Sequence, residues 1–172
     1  MQFETMEGFT RTHMCGELSV KNENEMVTLT GWVARNRRLG GLNFDTLRDR
    51  TGNIQLSFND ESAQEEFQKA EQLKSEYVIE AKGKVLRRTP ENINPDMATG
   101  EIEVFVTELR ILNSAETTPF YIEEDIDTKD ALRLEYRYLD LRRPDMQRNL
   151  MMRHKITKIA RDYFDENGFL EI

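Results

Sequence analysis

The chain is poor in the residues from which the commonest catalytic and covalent devices are built. It has one cysteine, Cys15, in 172 residues, which excludes an internal disulfide framework and fits a reducing compartment. Beside Gly16, that thiol reads as a small packed residue rather than a nucleophile. The two histidines, His13 and His154, stand far apart and outside any Cys/His cluster, so neither a zinc site nor a nucleophile–histidine pair is expected. No phosphate-cradling glycine loop is visible. No apolar run approaches the length of a membrane span, and the first ten residues have neither a basic start nor an apolar stretch. The expectation is a soluble, cytoplasmic protein with no signal peptide and no membrane partner.

Charge is abundant, and it is unevenly placed. Charged residues make up 33% of the chain, and the net charge is -8. Yet Gly31–Gln55 holds five arginines (Arg35, Arg37, Arg38, Arg48, Arg50) and only two aspartates, a local excess of positive charge. An acidic protein cannot coat nucleic acid indiscriminately, so any basic surface it uses must be local. Arginine makes charge-assisted contacts to phosphate, and an exposed Phe44 would offer a face to an unstacked base. The competing reading is a β-hairpin with a charged outer side and Phe44 in the core.

Residues 1–10 read as a flexible lead-in. Alternating, β-rich segments predict strands over Met26–Val33, Leu42–Arg48, Asn53–Phe58, Tyr77–Val85 and Gly100–Leu112. Asp49-Arg50-Thr51-Gly52 supplies a turn. Ala63, Phe67, Ala70, Leu73 and Tyr77 recur at helical spacing, with Ser62 and Glu65 as a capping box at the start. Prolines and asparagines mark a loop over 89–96. Five strands with a helix between the third and fourth is the element order of an OB-fold, a mainly β, five-stranded barrel that binds oligonucleotides on one face. Past Asn113 an acidic segment reads as a linker. An arginine-rich segment follows, and then a helix from about Met146 with Met152, Ile156, Ile159, Ala160 and Tyr163 on one stripe. Asn167-Gly168 stops it. Phe169–Ile172 reads as a strand barely begun, which suggests a chain cut short.

Several stretches together resemble the bacterial-type aspartyl-tRNA synthetases, which are class II enzymes. They are Arg11–Gly16, Gly31-Trp32-Val33, Leu47–Arg50, the loop and strand Asn92–Val104, and Arg137–Pro144. The Arg137–Arg142 motif is shared in related forms by aspartyl, asparaginyl and lysyl enzymes, whereas Asn92–Val104 is more specific. The resemblance implies an anticodon-binding OB domain over 1–112, a hinge over 113–135 and the start of a catalytic domain over 136–172, cut within its first motif. That motif's long helix builds the dimer interface in this family. The motifs that bind ATP and aspartate are absent, so the fragment is expected to be inactive and to hold no cofactor. ATP, magnesium and a homodimer belong to the full-length parent.

The resemblance also implies roles. Phe44 would stack on the middle uridine of an aspartate-specific anticodon loop, and Gln55 would bond that base's edge. Arg35 and Arg37 would hold the strand and the neighbouring cytidine. Arg88, Asn92 and Glu103 would surround the first anticodon base, where a carboxylate accepts from the N1–H and N2–H of a guanine-like base. One departure stands out. The family usually has an apolar residue and then Asp after the phenylalanine, whereas Asp45 follows Phe44 directly. If Phe44 faces out, Asn43 and Asp45 face the barrel interior and need partners there, or the strand is irregular. Two readings from other classes compete. One is a free-standing OB module for single-stranded nucleic acid. The other is a protein-interaction domain built on the C-terminal helix.

Overall fold

The structure is a computed structural model that describes residues 3–59 and 64–172. The chain divides into two compact units, Met1–Thr117 and Thr118–Ile172.

The first unit is a closed barrel of five strands: β1 Met26–Leu39, β2 Leu42–Arg48, β3 Asn53–Phe58, β4 Val78–Arg87 and β5 Ile102–Asn113. Their order around the barrel is β1-β2-β3-β5-β4, antiparallel except for the β3–β5 pair. Alternate side chains point inward, as the pleat demands. Val27, Leu29, Val33, Leu47, Ile54, Leu56, Phe58, Ile79, Ala81 and Val85 fill the interior. In β5 the inward series runs Ile102, Val104, Val106 and then Leu109, Ile111. The change of phase falls at Thr107, which the β4–β5 pairing skips, so a bulge keeps both halves of the strand apolar on the same side.

β1 extends beyond the expected Val33 to Leu39. Its pairing with β2 skips Ala34, and this bulge resets the phase so that Asn36, an unpromising strand residue, turns toward β2's Asp45. Helix α1 spans Gln64–Gln72 and stops before the expected Tyr77. Its Ala70 belongs to the core, and Phe67 packs against it. The following turn places Glu76 at φ 65°, with its N–H on the Val33 carbonyl at 2.7 Å. Its carboxylate grips Arg48 at 2.8 Å. The Ser62–Glu65 capping box lies outside the described residues.

The lead-in is not loose. Beyond Phe105, β5 has left its short pairing with β3, and its Leu109 and Ile111 edge groups need partners. Glu66 accepts from Leu109 N–H at 2.7 Å, and Lys69 donates to the Leu109 carbonyl at 3.2 Å. Glu4 takes over at Ile111, donating its N–H to the carbonyl and accepting from the N–H, both at 3.0 Å. Phe9 then lies under the Arg110 guanidinium, 3.6 Å from its ring centroid. Residues 4–9, expected to be a flexible lead-in, lie along this strand edge and supply its hydrogen bonds.

In the second unit, α2 Asp130–Glu135 and α3 Arg137–Asp140 precede the long helix α4, Pro144–Glu166. Proline opens α4 at a position where no N–H is needed. A small apolar cluster forms from Phe120, Ile122 and Leu139. At the end of α4, Gly168 adopts φ 81° and Phe169 N–H returns to the Phe164 carbonyl at 3.0 Å. Phe169–Ile172 therefore form no strand. The segment folds back on the helix end, where Arg161 Nε also donates to Glu171 Oε2 at 2.8 Å, and among the described residues no strand pairs with it. Among the described residues no helix is long and apolar enough to cross a membrane.

Candidate nucleic-acid interface

Cross-strand register sorts the residues of the barrel's outer face into rows. One row runs Arg37 on β1, Phe44 on β2, Ser57 on β3, Phe105 on β5 and Lys84 on β4. The next places Arg35 beside Thr46 and Thr46 beside Gln55. All seven residues singled out above lie on or beside these rows. Arg35 and Arg37 come from β1, Phe44 from β2, Gln55 from β3 and Glu103 from β5. Arg88 follows β4 directly, and Asn92 ends the 3-10 turn Pro90–Asn92.

Phe44 is half-buried rather than in the core, and the Arg37 guanidinium lies 5.6 Å from its ring centroid. Its strand neighbours, Asn43 and Asp45, face inward and are buried, and they do find partners. Asn36 Nδ2 donates to Asp45 Oδ1 at 2.6 Å and reaches Asn43 Oδ1 at 3.4 Å; Asn43 Nδ2 reaches Asp45 Oδ2 at 3.4 Å. Burial pushes the Asp45 carboxyl up to about 7, against the smaller opposing pull of Asn36 and Arg38. β2 thus stays regular, and the outward placement of Phe44 rests on a polar plug beneath it.

The second group forms a chain of contacts. Gln55 Nε2 donates to Glu103 Oε2 at 2.8 Å. That same oxygen lies 3.7 Å from Arg88 Nε, and Arg88 Nη1 reaches the Asn92 carbonyl at 3.4 Å. Burial lowers the Arg88 guanidinium below its ordinary value, which Glu103 counteracts and the charge of Arg37 reinforces. Its Nη2 is buried with no hydrogen bond. Asn92 Nδ2 donates to Thr89 Oγ1 at 2.9 Å, which holds the turn in place.

Two other arginines of the 31–55 stretch are engaged elsewhere. Arg48 is committed to Glu76, and Arg38 reaches back to the Glu71 carbonyl of α1. Both serve the fold. Ser57, Phe105 and Lys84 share the face but were not singled out from sequence. The available signal was spacing: Ser57 lies two residues from Gln55, and Phe105 two from Glu103. Among the described residues no group of His, Cys, Asp and Glu is arranged to hold a metal ion.

Both parts of the chain are similar to known proteins. Residues 27–112 match the family model described as OB-fold nucleic acid binding domain, and residues 129–172 match tRNA synthetases class II (D, K and N). The chain is 56% identical over 169 residues to the aspartate–tRNA ligase of Ruminiclostridium cellulolyticum. It is 53% identical to the aspartate–tRNA(Asp/Asn) ligase of Thermoanaerobacter sp. strain X514. Each match covers 98% of this chain and 28% of the relative, so the chain spans little more than a quarter of those proteins. In fold it resembles the aspartyl tRNA synthetase of Entamoeba histolytica, with a TM-score of 0.87 at 20% identity, covering 100% of this chain and 41% of that one. The chain belongs to the OB-fold nucleic acid binding family, and its C-terminal part matches the class II tRNA synthetases of the D, K and N group.

Proposed function

We propose that the chain reads the anticodon of an aspartate-specific tRNA as the N-terminal part of an aspartate–tRNA ligase. The observation that carries this reading is the outer face itself, with a half-buried Phe44 beneath Arg37 and a hydrogen-bonded Gln55–Glu103–Arg88 array on the neighbouring strands. Phe44 receives the middle uridine on its ring. The Gln55 amide N–H is engaged by Glu103, which leaves its Oε1 as an acceptor suited to the uracil N3–H donor. Glu103 keeps an oxygen for the N1–H and N2–H of the first base, while Arg88 and Asn92 wall that base in. Arg35 and Arg37 hold the backbone and the adjacent cytidine.

The parts in sequence are an anticodon-binding domain over 1–112, a hinge over 113–135 and the beginning of a catalytic domain over 136–172. Activation of aspartate with ATP and magnesium, its attachment to tRNA and a homodimeric state are proposed for the whole protein and not for this chain alone. The exposed stripe of Met152, Ile156, Ile159 and Tyr163 on α4 supports the homodimer.

Binding of the chain to a stem-loop carrying GUC, beside one with the middle uridine replaced, tests the reading at fixed salt. Phe44→Ala is expected to weaken binding to GUC roughly 5- to 100-fold and to abolish the preference between the two loops. Equal binding of both loops by the unsubstituted chain would refute anticodon reading and leave a generic single-strand OB module.

A further inference from the structure

We propose that Phe105 and Ser57 form a second base seat beside Phe44, which receives the face of the unpaired RNA base whose edge meets Glu103 and Arg88. The inference deepens the anticodon-reading proposal and rests on it.

Its first support is register. Phe44, Ser57 and Phe105 are direct cross-strand neighbours on β2, β3 and β5. Inward-facing residues bracket Ser57 and Phe105 on their own strands. Leu56 and Phe58 flank Ser57, Val104 and Val106 flank Phe105, and all four are fully buried. Ser57 and Phe105 therefore share the outer face with Phe44. Adjacent strands lie about 4.8 Å apart, so the two phenylalanines stand on backbones about 10 Å apart. The small side chain of Ser57 stands between them in the same row.

The second support is an unmet bond. Ser57 is only 7% exposed, and its Oγ has no hydrogen-bond partner. A buried hydroxyl without a partner is destabilising, and a base that parts the side chains covering it gains a hydrogen bond there. On the same face the buried Arg88 Nη2 also makes no hydrogen bond. Arg88 lies beside Glu103, and Ser57 beside Phe105, two residues further along β5.

The third support is alignment with the polar array. Phe105 is two residues from Glu103 on one face of β5, about 7 Å along the strand. A base whose edge meets Glu103 and Arg88 can then lay its face against Phe105 while its neighbour occupies Phe44. Lys84, the next residue in the row, supplies a cation for the connecting phosphate. Gly83 fixes this part of the strand, because a Cβ there would collide with the Phe105 carbonyl oxygen.

The test uses the 172-residue chain and four labelled RNAs: the GUC stem-loop, the same loop abasic at the first anticodon position, the same loop abasic at the middle position, and oligouridine. Phe105→Ala should weaken binding of the intact loop roughly 5- to 100-fold. Phe105→Leu, which keeps an apolar cover without an aromatic face, should lose nearly as much while matching the unsubstituted chain in thermal stability. The loss should vanish on the loop lacking the first base and persist on the loop lacking the middle one, with Phe44→Ala giving the mirror pattern. Ser57→Ala should lose roughly 2- to 10-fold, again only where the first base is present. Equal losses for Phe105→Ala on all three loops, or full binding by Phe105→Leu, would overturn the seat. If the unsubstituted chain ignores which base is missing, anticodon reading fails. The seat then survives only if Phe105→Ala weakens oligouridine binding, and absence of binding to every RNA overturns both.

Discussion

Asp45 in the barrel and Asp140 in the C-terminal unit are both fully buried, yet they answer burial in opposite ways. Asp45 is surrounded mainly by dipoles, with Asn36 as its closest donor and Arg38 acting only through its charge. Its carboxyl rises to about 7. Burial presses Asp140 in the same direction, but three arginines reverse the result. Arg133 Nε lies at 2.9 Å and Arg143 Nη1 at 3.0 Å, with Arg137 also in contact, and they hold its carboxyl below the ordinary range. Amide dipoles can satisfy a buried carboxyl without keeping it charged, whereas fixed cations keep it charged.

The comparison can be broken first at Asp45. Its unfolded form loses a proton near pH 4 and its folded form near pH 7, so the folded state holds an extra proton between them. Barrel stability should fall as pH rises through that window, by about 4 kcal/mol in all. Asp45→Asn should remove this slope from urea unfolding curves recorded from pH 4 to 7. An unchanged slope would mean that Asp45 is charged throughout.

Asp140→Asn should lower the stability of the 118–172 unit by about 3 kcal/mol, since three arginines lose their common carboxylate. Asp140's own contribution runs opposite to that of Asp45. It is fully present above the ordinary carboxylate range and is lost as pH falls through its depressed value. Amide hydrogen exchange should show the damage near residues 120–145, with β1–β5 unaffected. Equal loss of protection in the strands would show that the two units do not respond separately.

The smallest effect is expected on α4. Ile156 is 59% exposed, so Ile156→Ala should change thermal stability by no more than about 0.5 kcal/mol. A loss above about 1 kcal/mol would reveal that something covers the stripe in solution.

Legibility in the sequence followed the range of the interactions. β2 and β3 could be bounded from alternation alone, because each is short and has one apolar face. β1 was cut short at Val33 because the residues beyond it alternate in no apolar sense. Asn36 turns inward to meet Asn43 and Asp45, seven and nine residues away across a hairpin. The order of the lead-in was hidden for the same reason, since Glu4 is held by Lys69 and Ile111 from distant elements. α2 and α3 carry little apolar periodicity, and the arginines around Asp140 organise them instead. The seven candidate site residues could be named through family resemblance. That Gln55 reaches Glu103 depended on a parallel β3–β5 pairing that no local pattern announces.

That pairing has a dynamic consequence. β3 and β5 meet through two residue pairs, Leu56–Val104 and Ser57–Phe105, whereas β1 and β4 share seven. With so few backbone pairs, this seam is braced less than the β1–β4 junction. Under the proposed anticodon reading, an RNA strand lying from Phe44 across to Lys84 would cross that seam from outside and tie its two edges together. Binding there would then slow the opening of the wall beneath it.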